Sequence, residues 1–259
     1  MMSRISAFLY GLIAYVLFLG VFLYAIGFVG DFMVPKTIDA GQSTPFLQAL
    51  IINLLLLTLF AVQHSVMARP AFKRWWTRII PKPIERSTYV LAATAVLALL
   101  MWQWRPLPTS IWQVEQETGR YILWGIFGLG WLIVLTSTYM ISHAHLFGLK
   151  QVHQHLKRKE LTGPKFQTPG FYRYVRHPLM TGFFIAFWAT PHMTLGHLIF
   201  SLATSGYILI ALQLEERDLI SLFGDRYRKY RRQVPMLVPI PGKKARMEKQ
   251  EKRAEKEMA

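Results

Sequence analysis

LIINLLLLTLFAVQHSV, residues 50–66, decides the fold: it holds no Asp, Glu, Lys or Arg and lies in an apolar run from Phe46 to Val66. A helix rises about 1.5 Å per residue, so about 20 such residues cross the hydrocarbon core with every backbone polar group satisfied inside the segment. Working outward, runs at about 5–30, 87–104, 121–142 and 194–214 are also long enough to span. LMTGFFIAFWAT, which follows Pro178 and stops before Pro191, amounts to about half a span and forms a tight hairpin with the last run. The expected fold is therefore all-α, a polytopic transmembrane helix bundle of five to six spans, depending on whether 178–190 crosses completely. A hydrophobic content of 53% over 259 residues agrees with a membrane rather than a soluble core.

The formal net charge of +16 first suggests nucleic acid, but its distribution excludes that partner. Lys and Arg sit in short connecting loops and in the C-terminal tail. Counted against Asp and Glu, residues 31–45 carry −1, 67–87 carry +5, 105–120 carry 0 and 143–178 carry +6. Positive-inside sorting then puts both termini and the two basic loops in the cytoplasm, with the bilayer as partner. The first run begins just after Arg4 and has no small-residue cleavage site before Asp31, which reads as a retained helix in a multi-pass inner-membrane protein. Residues 226–259 hold 12 basic and 4 acidic residues, and the end from Lys243 reads as a solvated helix or disordered tail.

There is no cysteine, hence no disulfide framework and no Cys-containing metal site. Drift is the plain reading of this absence, and avoidance of reactive thiols near an alkylating centre the more pointed alternative. No glycine-rich loop follows a strand and no strand pattern is evident, so a soluble dinucleotide-type fold is excluded.

Three stretches carry candidate chemistry. In GFYRYVRHPLMTG, residues 170–182, Pro178 suits the first turn of a helix and places His177 at its cap, where a helix N-terminus favours an anionic ligand group. Taken alone, Arg176 and His177 read as an interfacial anchor. Gly182, on the face of Pro178, permits close approach of backbone or ligand. In YILIALQLEERDLISLFGDRYRKYRRQVP, residues 207–235, an apolar helix runs straight into Glu215 and Glu216. Neighbouring helical positions point about 100° apart, so one carboxylate can pair with Arg217 or Arg176 while the other faces a ligand. Tyr172, Tyr174, Tyr227 and Tyr230 add aromatic faces for a cationic ligand, although interfacial tyrosines commonly serve as anchors. In ISHAHLFGLKQVHQH, residues 141–155, the histidines at i and i+2 do not share a helical face and have no carboxylate beside them, so no metal is expected. Gln151 is the better ligand candidate there. His64, beside Gln63, reads as a satisfied interfacial histidine or as part of a substrate pocket.

RHPLMTG followed by EERDLISLFGDRYRKYRRQVPMLVP resembles the membrane methyltransferases that include isoprenylcysteine carboxyl methyltransferases and nurim-like proteins. Upstream, LFAVQHSVMARPAFKRWW, ERSTYVLAATAVLALLMWQWRP and SHAHLFGLKQV extend the likeness, there to bacterial methanethiol S-methyltransferases, over nearly the whole chain except the tail. The resemblance implies S-adenosyl-L-methionine as cofactor, a small volatile thiol as substrate and dimethyl sulfide as product. It also implies a cytoplasmic-side pocket built by the C-terminal helices and loops. Carried over residue by residue, Arg176, His177 and Pro178 match the cofactor-binding RHP, Glu215 and Glu216 the glutamate pair, and Tyr227 and Arg231 the basic-aromatic stretch. Gln151, Tyr174 and Gly182 complete the expected cofactor contacts, with His177, Glu216 and Arg176 the candidates for catalysis. Met180 departs from the tyrosine of many relatives. The implied organisation is a four-helix membrane region at 1–142, a methyltransferase-like region at 143–240 and a basic tail at 241–259. Methylation of a prenylcysteine carboxylate or other lipid-borne acceptor, and a non-catalytic nurim-like scaffold, are the alternatives.

Overall fold

The computed structural model describes residues 3–161, 163 and 166–240, so the basic tail lies outside the described residues. The chain opens with α1 (Arg4–Gly30) and α2 (Phe46–Ala68), then the short α3 (Pro70–Trp76), α4 (Glu85–Gln103) and α5 (Glu117–Ile141). Two further short helices, α6 (His143–Leu146) and α7 (Leu149–Leu156), lead to α8 (Pro178–Trp188), α9 (Leu195–Phe223) and α10 (Asp225–Gln233). Five helices, α1, α2, α4 with the turn before it, α5 and α9, are long and apolar enough to cross a membrane. Their outer faces are apolar too: Ile13, Val16, Leu55, Leu132 and Ile210 are all exposed. A water-soluble protein would not present such a surface, whereas acyl chains cover it at no cost. The chain is thus an all-α, multi-pass membrane protein.

The half-span after Pro178 is a short helix followed by extended chain. α8 has 11 residues, about 16 Å of helix, roughly half of the hydrocarbon thickness. The chain then continues extended into β2 (His192–Thr194), which pairs antiparallel with β1 (Ser110–Gln113) in the connection between α4 and α5. These two short strands correct the expectation of a chain without strands. Each is too short to show an alternating pattern, and the partner of β2 lies about 80 residues away in sequence.

Helix termination within the bilayer would leave carbonyls unsatisfied at high cost. Here α9 meets that demand. His197 Nε2 and Ser201 Oγ both donate to the carbonyl of Phe187, at 2.9 and 2.7 Å, and Trp188 Nε1 donates to Ser205 Oγ at 3.0 Å. The backbone of β2 and its flanks is tied to the other loop by Val114 N–H to Pro191 O and Leu195 N–H to Thr109 O, each 2.8 Å.

α8 packs on α5 with the two backbones in contact. A Cβ on Gly182 would lie 2.7 Å from Gly130 O, and one on Gly130 would lie 2.8 Å from Gly182 O. Small residues permit such an approach, and van der Waals contact rather than hydrophobic burial drives helix association in lipid. Toward the far end Trp131, Phe183, Phe187, Phe200 and Trp104 pack edge-to-face or stacked and fill the centre of the bundle.

Candidate active site

The residues singled out in RHP and EE meet at one end of the bundle. Pro178 opens α8 at its first turn and His177 occupies the N-cap, as the sequence predicts, but the imidazole makes no cap bond. It turns instead to α9. Leu195 begins α9 at the opposite end, and about 20 residues, or 30 Å, later the helix emerges at Glu215 and Glu216.

Glu216 is 3% exposed and its Oε1 accepts from Arg176 Nε at 2.6 Å and bonds His177 Nε2 at 3.0 Å. Of the two cations the sequence offered, Arg176 is the partner. Its Nη1 also donates to the carbonyls of Arg231 and Val234, at 3.0 and 2.5 Å, satisfying the end of α10. A buried guanidinium therefore has one carboxylate and two carbonyls around it, the set of partners that makes a buried ion pair tolerable. Glu215, about half exposed, stands with Oε2 4.0 Å from His177 Nδ1. The two glutamates thus face different surroundings, as their 100° offset requires.

A strap from Val234 to Leu237 holds this corner. Arg176 N–H donates to Pro235 O, His177 N–H to Met236 O and Thr181 Oγ1 to Leu237 O, at 2.9, 3.1 and 2.7 Å. Sequence reading missed the strap because backbone carbonyls leave no residue-type signature; VPMLVP between the basic helix and the tail was its only trace.

Tyr227 is buried and its hydroxyl has no partner. Burial, with Glu216 nearby, pushes the phenol well up, so the O–H persists as a donor without an acceptor. Tyr230 and Tyr172 are also pushed up by burial, and Tyr230 spends its hydroxyl on Tyr172 O at 2.6 Å. Gln151 donates through Nε2 to His145 O at 3.1 Å and keeps a buried Oε1 without a partner. An orphan donor and an orphan acceptor mark places for a polar ligand.

Other expected contacts are placed differently. Tyr174 is 66% exposed. Arg231 contributes its carbonyl to Arg176 while the residue itself is exposed. Gly182 faces Gly130 of α5, so its missing Cβ serves helix contact. Met180 packs against the main core. His143 is bonded by Tyr15 and Thr138, both at 2.8 Å. A cavity of about 280 Å³ lies at the opposite end, among Asp31, Asp39, Glu115, Arg120 and His192; none of the RHP or EE residues lines it.

Residues 52–231 match the family described as NnrU protein. The chain belongs to that family. The NnrU match contains Arg176, His177, both glutamates, Tyr227 and Gln151, and it stops just short of the strap. A Mycobacterium tuberculosis protein named methanethiol S-methyltransferase is 57% identical over 93% of this chain and 98% of its own length. One of the same name from Crocosphaera subtropica is 51% identical over 94% and 96%. Nurim of Rattus norvegicus is 28% identical over 73% of this chain and 75% of its own length. No solved structure matches the chain.

Proposed function

We propose that this NnrU-family chain is a membrane methyltransferase that uses S-adenosyl-L-methionine to convert methanethiol to dimethyl sulfide. The observation that carries the reading is the convergence of Arg176, His177, Glu215 and Glu216 on one end of the bundle, in a chain whose near-full-length relatives are named for this activity. The basic loops support a cytoplasmic position for that end, in a chain we assign to the bacterial inner membrane.

The available groups fit the cofactor. Glu215, half exposed beside His177, suits a ribose or ammonium group; the Tyr227 hydroxyl seeks an acceptor and Gln151 Oε1 a donor. When bound, the cofactor supplies a sulfonium methyl open to displacement. Arg176 and His177 lock Glu216 in place, and the strap locks Arg176, so these groups are preorganised rather than assembled on binding. The Arg176 guanidinium offers donors and no acceptor, and all its contacts fix other groups, which makes it a positioning residue. A small apolar thiol partitions into lipid while a charged cofactor enters from water, and a site at the end of a span serves both.

The test supplies methanethiol and S-adenosylmethionine to membranes containing the protein and measures dimethyl sulfide in the headspace. Volatile product absent from control membranes is expected. Binding of S-adenosylmethionine without product would favour a lipid-borne acceptor, and failure to bind it would favour a scaffold.

A further inference from the structure

α9 ends at Phe223, and Gly224, with φ 58°, turns the chain into α10. On α10 Tyr227 is buried and Tyr230 partly buried, their ring centroids 5.8 Å apart, while Arg226, Arg228, Arg231 and Arg232 are exposed. Phe166, on the connection from α7 to the Arg176 corner, inserts a partly buried ring among these aromatics. Its centroid lies 5.4 Å from Phe223, 6.3 Å from Tyr227 and 5.6 Å from Tyr230, at interplanar angles of 53°, 83° and 75°. All three distances fall in the roughly 4.5–7 Å range of favourable aromatic pairs. The cluster adjoins the candidate site: Arg176 donates to the α10 carbonyl of Arg231 and to Val234 O just beyond, and Tyr227 lies in the field of Glu216, Arg176, Glu215 and Tyr230.

A phenyl ring offers Tyr227 a matching shape but no acceptor. The phenol is buried with its hydroxyl unpartnered, an arrangement that folded proteins seldom leave without a reason. Were the cluster only packing, a phenylalanine at 227 would serve equally and strand no hydroxyl. A flat heteroaromatic ring in the place of Phe166 would keep the three aromatic contacts and add ring nitrogens able to accept from Tyr227. The purine of the proposed cofactor has that form. The backbone tether beside Phe166 is also weak: Gln167 Nε2 donates to Ile141 O at 3.0 Å from an exposed position, where water competes for the bond.

We propose that Phe166 is a placeholder in the cofactor site: its ring fills the slot among Phe223, Tyr227 and Tyr230 that takes the purine of the bound cofactor, and it withdraws to admit it. This deepens the methyltransferase reading above and rests on it. With the ring in place only a fraction of the protein is open to the ligand, and the apparent affinity is lowered by that fraction. Phe166 acts through the slot and touches none of the reacting atoms, so it is a positioning residue.

The test uses the purified full-length protein in detergent, with S-adenosylhomocysteine and adenosine, which carry the purine and lack the transferable methyl. In Phe166→Ala, calorimetry should give a Kd for both ligands about fivefold below wild type, because the aromatic contacts that hold the closed state are gone. A ring that packs on the bound ligand would give the reverse, a higher Kd. A fluorine at the para position of Phe166 barely changes its size and preserves the fold. Its resonance should lose protection from a water-soluble paramagnetic agent when S-adenosylhomocysteine saturates the protein. An unchanged or raised Kd in Phe166→Ala, or a fluorine that stays as protected at saturation as before, overturns the placeholder. Failure of wild type and Phe166→Ala alike to bind S-adenosylhomocysteine would sink the parent reading, and this one with it.

Discussion

The interface of α5 with α8 and that of α2 with α9 are built on opposite principles. In the first, Gly130 and Gly182 bring two backbones into contact and leave no space for even a methyl group. In the second, polar contacts clasp one end while the apolar middle stays open over about 130 Å³. The closed pair carries Arg176 and His177 just ahead of the first turn of α8, where position must be exact. The open pair is held instead by the Arg69–Asp218 ion pair, with apolar side chains bordering the gap below it. Helices in one bilayer can thus be closely packed on one side and loosely joined on the other, through a few small residues and the depth of their contacts.

Breaking the lock at the end of the closed pair should have the largest effect. Glu216→Ala leaves Arg176 buried without its carboxylate and should cost about 3–5 kcal/mol, read as a collapse of the melting temperature in detergent. Glu216→Gln keeps an acceptor oxygen, and is expected to fold while losing nearly all dimethyl sulfide production.

Asp39 bears on the point where α9 starts and thereby on both interfaces. Burial pushes its carboxyl up to about 6, against a hydrogen bond from Thr194 that favours the ionised form. A raised carboxylate pKa means that the folded protein holds its proton longer than the unfolded chain does. Stability is therefore full below about pH 4 and falls as pH rises through 6, by up to about 3 kcal/mol. Asp39→Asn should flatten that slope in melting curves recorded between pH 4.5 and 7.5.

Adding one methyl to the closed interface comes next. Gly182→Ala should cost about 1–3 kcal/mol, because the contact it meets is backbone rather than a movable side chain. Gly125→Ala, on the same α5 but with nothing within 4 Å of its would-be Cβ, should leave the melting temperature unchanged. The smallest effect belongs to the open interface: Ala203→Leu fills vacant groove and should alter stability by less than about 1 kcal/mol in the same melting curves.

The spans were legible because apolar length is a property of each segment alone, and Phe46 and Pro178 begin their helices where the sequence predicts. The pairing of Glu216 with Arg176 was legible in kind, since a buried carboxylate next to a membrane segment demands a cation. What escaped depends on remote partners. Gly182 signals close approach, but only Gly130, 52 positions earlier, says to what. Tyr174 and Tyr227 look equivalent in sequence, yet one is exposed and the other 3% exposed, because the second sits under Phe166 and Tyr230. Arg231 enters through its carbonyl, which any residue would provide.

The donors that α9 lends to Phe187 O also constrain how the protein is made. During synthesis α8 leaves the ribosome before His197, Ser201 and Ser205 do, and by itself it is too short to lodge in the bilayer and would strand its last carbonyls in hydrocarbon. The translocon must therefore admit residues 178–223 as a single unit, with the second limb already at hand when the first turns over.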